Sequence, residues 1–252
     1  MLAAERLGYL LTRLATDGKV IAKDIAHELG LSEDSVRRDL RELAAAGLCQ
    51  RVYGGALPVS PAIADYATRV AVSPESKDRI ATRAASLVQP GSAVILDGGT
   101  STLAVVHALP AELDCTVITH SPTIASALVD HPLIEVFLLG GRLFKHSAVT
   151  CGAAAVEATH AISAELFFLG VTGVHPVRGL TTADADEAAM KRTLAARAAD
   201  TYVLASTEKI GAASRYSVLP FASVAGIITD APAKDPTMRE LSDLGVTLIG
   251  AD

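Results

Sequence analysis

The sequence predicts an α/β protein in two parts, an N-terminal winged helix-turn-helix followed by a mainly parallel, doubly wound α/β domain. Apolar residues recur at helical spacing through the first 46 residues, and a short alternating segment follows them. From residue 93 onward, short apolar runs alternate with helical stretches, which is typical of a parallel sheet covered on both faces. Three prolines, Pro58, Pro61 and Pro74, interrupt the stretch between the two parts. We therefore predict domains at 1–57 and 76–252, joined by a linker at 58–75.

Composition favours a soluble cytoplasmic protein without a bound metal or cofactor. Half of the 252 residues are hydrophobic, enough for a sizeable core, and no apolar run is long enough to span a bilayer. The three cysteines, Cys49, Cys115 and Cys151, lie far apart and form no Cys-x-x-Cys pair, which argues against disulfides and zinc sites and fits a reducing cytoplasm. The histidines also lack the spacing of metal ligands.

The net charge of −6 is unevenly distributed along the chain. The first 57 residues contain 8 basic and 8 acidic side chains, so the acidic excess lies entirely in the remainder. A neutral N-terminal part with a local arginine cluster can still contact phosphates, while an acidic second part keeps the chain away from non-specific DNA.

The N-terminal part has the proportions of a helix-turn-helix. Helices are predicted at 2–15, 22–29 and 32–46. The second and third are joined by the four-residue turn Gly30–Glu33. In this motif the N-terminal half of the last helix lies in the DNA major groove, and that half contains Ser35, Arg37 and Arg38.

An apolar/polar alternation at residues 48–56 ends in Gly54 and Gly55 and predicts a β-ribbon whose Arg51 faces the DNA backbone. The alternative interpretation is a small helical dimerisation or capping domain whose arginines are merely solvated, since helical pairs with exposed arginine are common.

The segment from Ser35 to Leu43, followed by Gly47 and by Arg51 to Ala56, resembles the DNA-binding signature of the DeoR family of bacterial transcriptional regulators. The Arg-Arg-Asp-Leu core and the terminal Gly-Gly-Ala match at the family's spacing. Asp39, one turn from two arginines, is expected to hold a guanidinium in position. The resemblance implies an operator-binding domain whose DNA contacts come from Ser35, Arg37, Arg38, Arg41, Arg51, Tyr53 and Gly54.

In the second part, loops rich in Gly, Ser and Thr follow nearly every predicted strand. Strands are predicted at 93–96, 115–118, 134–139, 165–169, 201–205, 225–229 and 246–249, and helices at 76–89, 102–109, 122–129, 152–160, 184–199 and 236–243. Ligands of an open parallel sheet bind at the carboxyl ends of its strands. We therefore expect one crevice to be formed by the loops at 97–102, 119–121, 140–142, 170–173 and 206–209. The alternative is that α/β loops simply favour turn residues.

The loop after the first of these strands carries the clearest chemistry. Strand residues 94–96 lead into Asp97, Gly98 and Gly99, and hydroxyl residues 100–102 begin a helix. Glycines let backbone N–H groups approach an oxyanion, hydroxyls donate further hydrogen bonds, and a helix N-terminus adds partial positive charge. We interpret the loop as a phosphate cradle, although a glycine-rich turn of this kind is often only a turn.

Residues 75–230 resemble the sensor domain of the same family, whose fold is related to that of sugar-phosphate isomerases. The loop at 97–101 is similar to the family's Asp-x-Gly-Thr-Thr, and the loop at 119–121 to its Thr-Asn-Ser, with His120 in place of Asn. Ser206 stands where the family usually has Asp. Arg69 and Lys77 match an Arg followed some residues later by a Lys that the family typically has in the region of residues 57–78. The resemblance implies a phosphorylated sugar or related metabolite as effector, bound by Asp97, Gly98, Gly99, Thr100, Ser101, Thr119, His120, Ser121, Gly140, Gly141, Gly170, Glu187, Lys191 and Lys209.

Three of these residues have more than one interpretation. Glu187 and Lys191, four residues apart on one predicted helix, are either a surface salt bridge or crevice residues that bind a sugar hydroxyl and a phosphate. His120 is interpreted as a hydrogen-bonding substitute for Asn, with a general base as the alternative.

Together these features predict a DNA-binding transcriptional regulator, a repressor rather than an enzyme, that binds operator DNA as a homodimer or homotetramer. Its expected partners are double-stranded operator DNA, a phosphorylated sugar or related effector and further copies of the chain, with no membrane. One alternative is a sugar-phosphate isomerase or deaminase in which Asp97, Glu187 and Lys191 move protons. Another is a DNA-binding protein whose second part serves only for oligomerisation.

Overall fold

The N-terminal domain, called the head below, is built around one small apolar core. In the computed structural model, which describes residues 2–251, its elements are α1 (Ala3–Asp17), β1 (Val20–Ile21), α2 (Ala22–Leu29), α3 (Glu33–Ala45), β2 (Gln50–Val52) and β3 (Gly55–Leu57). Leu10, Leu14, Ile25, Val36 and Leu40 are buried in this core, and each lies on the apolar face of its helix. The strands form an antiparallel sheet of order β1-β3-β2, so the predicted ribbon has a third, two-residue strand.

Helix α3 has well-defined ends and a buried carboxylate. It begins after Ser32, whose side chain accepts a hydrogen bond from the Ser35 N–H, and ends before Gly47, which adopts the left-handed φ of +72° that favours glycine. Asp39 is buried and accepts two hydrogen bonds from the guanidinium of Arg6. The expectation that Asp39 holds an arginine of its own helix is wrong, because this carboxylate ties α3 to α1.

The segment between the two domains contains more structure than its prolines predict. A 3-10 turn at Pro61–Ile63 and helix α4 (Tyr66–Val70) precede α5 (Pro74–Ala85). The side chains of Ser60 and Asp65 accept backbone N–H groups at the starts of the first two. Proline is well tolerated in the first turn of a helix, so Pro61 and Pro74 initiate these segments instead of ending them.

The second domain, called the body below, is organised around seven strands. In chain order it continues from α5 with β4 (Ala93–Leu96), α6 (Thr100–Ala108), β5 (Thr116–Thr119), α7 (Pro122–Ala127), β6 (Glu135–Leu138), β7 (Arg142–Phe144), β8 (Val149–Cys151), α8 (Ala153–Ala158), β9 (Ala164–Gly170), β10 (Gly173–His175), β11 (Gly179–Thr182), α9 (Ala185–Ala195), β12 (Ala198–Leu204), β13 (Tyr216–Ser217), β14 (Gly226–Thr229), α10 (Pro236–Asp243) and β15 (Leu248–Gly250). The main sheet has the order β15-β14-β12-β9-β4-β5-β6, and all its neighbouring strands are parallel. The predicted fold class is therefore confirmed.

Alternate residues of the central strands pack into two separate apolar layers. Ile95 and Phe167 lie in the layer that includes α8, α9 and α10. Val94, Leu96 and Phe168 lie in the layer that includes α5, α6 and α7. Because both faces of the sheet are covered, the strands are continuously apolar, which is why short apolar runs predict them.

The structure differs from the predicted elements in two respects. The pattern predicts a helix at 184–199, but α9 ends at Ala195 and β12 begins at Ala198. Alanine favours helix locally, yet Ala198 pairs in register with Ala164 of β9, and the pairing overrides that propensity. The hairpin β7–β8 and the antiparallel sheet β10-β11-β13 are also absent from the prediction, since these short strands lack the continuous apolar runs that predict the strands of the main sheet. No helix among residues 2–251 has both the length and the apolar character needed to cross a bilayer.

Candidate functional site

A crevice lies at the point where the strand order of the main sheet reverses. The sheet starts at β4, runs outward to β6, and resumes on the other side of β4 with β9. Asp97 follows the last residue of β4, and Gly170 is the last residue of β9. The Gly170 N–H donates to Asp97 Oδ2 at 2.8 Å, so the two strand ends are joined directly. Such a reversal leaves a gap between the loops above it, which is where open α/β sheets bind ligands.

Asp97 is fully buried and accepts four hydrogen bonds. Its Oδ1 accepts the Gly98 N–H at 2.8 Å and faces His120 Nε2 at 2.9 Å. Its Oδ2 accepts the Gly170 N–H and the Lys191 ammonium, the latter at 2.5 Å. Burial alone would raise the pKa of Asp97, but Lys191 and His120 hold that pKa well below its ordinary value. The carboxylate is thus ionised, and its four contacts organise the loop around it.

His120 lies beside Asp97 with no exposure to solvent. Its Nε2 faces the Asp97 carboxylate and its Nδ1 faces the carbonyl oxygen of Thr150 at 2.8 Å. Both ring nitrogens therefore face acceptors, and both contacts are hydrogen bonds only when each nitrogen carries a proton. Both ring nitrogens thus contact protein groups and His120 does not line the crevice, in keeping with its interpretation as a hydrogen-bonding residue.

Glu187 and Lys191 lie on α9 with both side chains buried, so the surface salt bridge considered for them is wrong. The helix is capped by Asp184, which accepts the Glu187 N–H at 3.0 Å. Glu187 Oε2 accepts the Thr182 hydroxyl at 3.0 Å, and Oε1 lies 3.5 Å from Lys191 Nζ. Burial alone would lower the pKa of Lys191, but Asp97 and Glu187 raise it above its ordinary value, so the ammonium stays charged.

Lys209 approaches the crevice from the 3-10 turn Thr207–Lys209 after β12 and differs from Lys191 in its surroundings. Its Nζ donates to Ser101 Oγ at 3.0 Å and lies 3.4 Å from the Leu204 carbonyl oxygen, both uncharged acceptors. Burial lowers the pKa of Lys209 to about 8. The neighbouring Glu208 accepts a hydrogen bond from Ser206, the residue that departs from the family pattern.

Three of the five expected loops line the crevice. Eight of the expected effector residues line it, namely Gly98, Gly99, Thr100, Ser101, Gly170, Glu187, Lys191 and Lys209. Asp97 does not line the crevice but hydrogen-bonds to Gly98, Gly170 and Lys191, which do. His120 does not line it either and contacts Asp97. The other four expected residues do not line the crevice: Thr119 donates to the Leu96 carbonyl, Ser121 donates to the Ala148 carbonyl, and Gly140 and Gly141 precede β7.

A further part of the crevice lining comes from the linker and the start of α5 and was not among the expected site residues. Ala62, Arg69 and Val72 of the linker and Lys77 of α5 line the crevice. Lys77 Nζ donates to the Arg69 carbonyl at 2.5 Å, which fixes α4 against α5. The Nε and Nη2 atoms of Arg69 are buried without a hydrogen-bond partner among residues 2–251. The sequence signal for these residues is the spacing of Arg69 and Lys77, which resembles that of the family. This spacing does not predict that the linker packs against the body.

The crevice has the chemistry of an anion site. The first turn of α6 supplies backbone N–H groups that have no acceptor within the helix, and its dipole favours negative charge. Arg69 adds guanidinium N–H groups, and Lys209 adds an amine without a carboxylate partner in hydrogen-bond contact. The part of the chain that the structure describes contains no group of three His, Cys, Asp and Glu side chains placed to hold a metal ion.

The head presents an arginine-rich helix face and an exposed ribbon turn. On α3, Arg37, Arg38 and Arg41 are exposed, and Arg37 forms an ion pair with Glu33 at 2.6 Å. Ser35 is half-buried beside the N-cap. On the ribbon, Arg51 is exposed, Tyr53 is fully exposed, and Gly54 forms the turn with a φ of +80°. All seven expected DNA-contact residues thus lie on α3 or the ribbon.

We expect replacement of Lys191 by Met to lower the free energy of unfolding by about 3–5 kcal/mol, because it leaves the buried Asp97 charge without its closest cation. The double variant Asp97→Asn/Lys191→Met should cost less than the sum of the two single variants, since it removes both charges. Urea unfolding at pH 7 would measure all three. Additive costs would contradict the coupling between the two side chains.

Comparison with known proteins gives matches to both domains. The DeoR-like helix-turn-helix domain matches residues 6–62, and the DeoR C-terminal sensor domain matches residues 72–231. The HTH-type transcriptional regulator GlpR of Haloferax volcanii is 33% identical over 255 residues, covering 99% of this chain and 98% of that protein. The glycerol-3-phosphate regulon repressor of Escherichia coli strain K12 is 26% identical over 249 residues, covering 98% of this chain and 99% of that protein.

Among solved structures, ribose 5-phosphate isomerase A of Methanocaldococcus jannaschii covers 54% of this chain and 54% of its own, with 15% identity and a TM-score of 0.40. The sensor-domain match covers more than half of this chain, and the GlpR match extends over nearly all of both proteins. The resemblance carried by the arginine signature and the glycine loop is confirmed. This chain belongs to the DeoR family of transcriptional regulators.

Proposed function

We propose that this regulator is a repressor whose head binds operator DNA and whose body binds a phosphorylated sugar or related metabolite that modulates this binding. We assign residues 1–57 to the DNA-binding domain, 58–75 to the linker and 76–252 to the effector-binding domain. Because its target is DNA, we place the protein in the cytoplasm. A single recognition helix neutralises few phosphates, so specific binding requires at least two copies on a repeated half-site.

The proposed operator contacts follow from the geometry of the head. Arginine can pair bidentately with guanine in the major groove, and Arg38 and Arg41 are exposed without an ion-pair partner within 4 Å among the described residues. Arg37 is paired with Glu33, so it must release that partner to reach DNA. Arg51 and Tyr53 on the ribbon can contact the phosphate backbone beside the groove.

The observation that carries the effector assignment is the unsatisfied guanidinium of Arg69 in the crevice. Two of its buried N–H groups have no acceptor among the described residues, and the Lys209 amine donates only to neutral oxygens. Buried donors without acceptors are costly, so the site favours a ligand that supplies oxyanions. A phosphate dianion at the start of α6 would satisfy both groups, and Glu208 is placed to accept a ligand hydroxyl.

The same residue suggests how effector binding reaches the head. Arg69 belongs to α4, between the head and α5, and its carbonyl accepts the Lys77 ammonium. A ligand held by Arg69 and by the body would favour one placement of α4. If the head binds DNA with a different affinity when α4 has this placement than when it has another, the binding of effector and the binding of DNA are coupled.

Catalysis is the less favoured alternative. A sugar-phosphate isomerase needs a carboxylate free to move a proton, but Asp97 makes four hydrogen bonds and does not line the crevice, and Glu187 contacts Thr182 and Lys191. Both relatives described above are named as regulators. We therefore propose that the body binds its ligand without converting it.

We expect phosphorylated sugars, but not their unphosphorylated forms, to raise the thermal stability of the protein. A ligand at about 100 times its Kd should add about 2.7 kcal/mol if it binds only the folded state. The shift should disappear in Arg69→Met and persist in Arg83→Met, a matched control on the exposed face of α5. A panel of sugar phosphates in differential scanning fluorimetry tests this, and the absence of any shift would contradict the assignment.

We expect Arg38→Ala to weaken binding to an operator, selected from genomic fragments, by about 1–3 kcal/mol per half-site, since it removes one base contact. Fluorescence anisotropy against operator and scrambled DNA measures the loss. The thermal shift with the effector should be unchanged. Equal weakening on both DNAs would assign Arg38 to phosphate contact instead of base recognition.

We expect effector affinity to fall as pH rises above 8. The pKa of Lys209 is lowered to about 8 by burial, so above that pH its amine is neutral and phosphate binding must take up a proton. The loss can reach about tenfold per pH unit, and it should be absent in Lys209→Met, whose affinity is lower throughout. Isothermal titration calorimetry at pH 7, 8 and 9 measures it, and a flat wild-type profile would exclude Lys209 from phosphate contact.

A further inference from the structure

The crevice between the linker and the body is much smaller than the ligand proposed for it. Its cavity has a volume of about 30 Å³, which is room for about one water molecule. Even inorganic phosphate has several times as many heavy atoms as water, and a phosphorylated sugar has more still. One wall of the crevice must therefore move before such a ligand can enter.

The body side of the crevice is tightly packed. A Cβ atom at Gly98 would lie 1.9 Å from Val149 Cγ1, so the glycine loop packs closely against β8. Hydrogen bonds from Gly170 and Lys191 to Asp97 also join this loop to β9 and α9. Moving the body side would break contacts of a buried charge, which is costly.

The linker side is attached much more weakly. We call residues 61–72, which supply the linker's share of the lining, the lid. None of the three apolar clusters formed by residues 2–251 includes a lid side chain. Two hydrogen bonds among these residues join the lid to the body, from the Tyr66 N–H to the His146 carbonyl at 3.0 Å and from Lys77 Nζ to the Arg69 carbonyl. Segments with few buried apolar contacts open at a low free-energy cost.

Helix α4, which lies in the lid, buries polar atoms and exposes an apolar side chain. Tyr66 and Arg69 are three residues apart and share one helix face. The Tyr66 hydroxyl and two guanidinium nitrogens of Arg69 are buried without a hydrogen-bond partner in the part of the chain that the structure describes. Val70, in contrast, is 52% exposed. Apolar burial therefore does not explain why this face turns inward, whereas an oxyanion between the lid and the body would satisfy its donors.

The junction between α4 and α5 contains a strained residue. Ser73 adopts a left-handed φ of +45°, a conformation that is unfavourable for residues other than glycine. Helix α5 begins at the next residue, Pro74, and packs against the body through Ile80 and Ala84. A rotation at Ser73 would relieve this strain and carry α4 away from the crevice while α5 stays in place.

We propose that the lid opens at Ser73 to admit a phosphorylated ligand and then closes on its phosphate through Arg69 and the Tyr66 hydroxyl. The proposal rests on the effector site proposed above and adds Tyr66 to the residues that bind the ligand. A phenol and a guanidinium can both donate hydrogen bonds, so the closed lid would meet the phosphate oxygens with donors. With the lid open, water would satisfy the same groups.

Amide hydrogen exchange of the full-length protein tests the lid, with inorganic phosphate and the panel of sugar phosphates as probes. Without ligand, amides of residues 66–72 should exchange faster than those of α6. A probe that raises thermal stability should slow their exchange roughly tenfold or more, because it stabilises the closed lid. A thermal shift without slower exchange at 66–72 would overturn the lid and leave the effector site standing. No thermal shift with any probe would remove the effector site and the lid with it.

Tyr66→Phe separates a ligand-binding role from a structural one. The variant removes a buried hydroxyl that has no partner among the described residues, so the free energy of unfolding without ligand should not fall. Affinity for the ligand, measured by isothermal titration calorimetry, should fall roughly tenfold, because a hydrogen bond to a charged group is lost. Tyr216→Phe, at an exposed tyrosine of β13, is the matched control and should change neither. Lower stability with unchanged affinity would assign Tyr66 a structural role and overturn its part in closing on the ligand.

Discussion

A carboxylate that is buried away from water is stable only when neighbouring groups replace the hydrogen bonds and the solvation that water would provide. Asp97 receives two backbone N–H groups, an ammonium and an imidazole, each from a different place in the chain. Because these donors come from the glycine loop, β9, α9 and the loop after β5, one carboxylate holds four elements in register. The glycine loop, and the start of α6 that it positions, depend on this arrangement.

The crevice above that network has two kinds of wall. One wall consists of strand ends and of α9, whose polar side chains are already hydrogen-bonded within the protein. The other comes from the linker, where Arg69 has guanidinium N–H groups without acceptors among the described residues. In the proposed effector site, a ligand would gain hydrogen bonds from the first turn of α6 and from Arg69, and Arg69 belongs to the segment that leads to the head.

Much of this arrangement can be predicted from the sequence. The rest cannot, and the physical reason can be named for each part. Apolar runs predicted the central strands because both sheet faces are buried, and the spacing of Glu187 and Lys191 predicted that they share a helix. The partner of Asp39 was not predictable, since Arg6 lies 33 residues away and no local pattern links them. The linker wall was missed for the same reason. The helix through residue 199 was wrong because strand pairing at Ala198 decides that segment, not alanine propensity.

The order of strands across the main sheet also determines when, during synthesis, the head and the crevice can each form. The core of the head closes among residues 10–56, so this domain can fold as soon as it leaves the ribosome. The crevice joins residues as far apart as Ser101 and Lys209, so it forms only after β12 has been made and has paired with β9. During synthesis there is consequently an interval in which the head is folded and the crevice has not yet formed. A gene truncated after the linker would encode a head that never acquires the crevice.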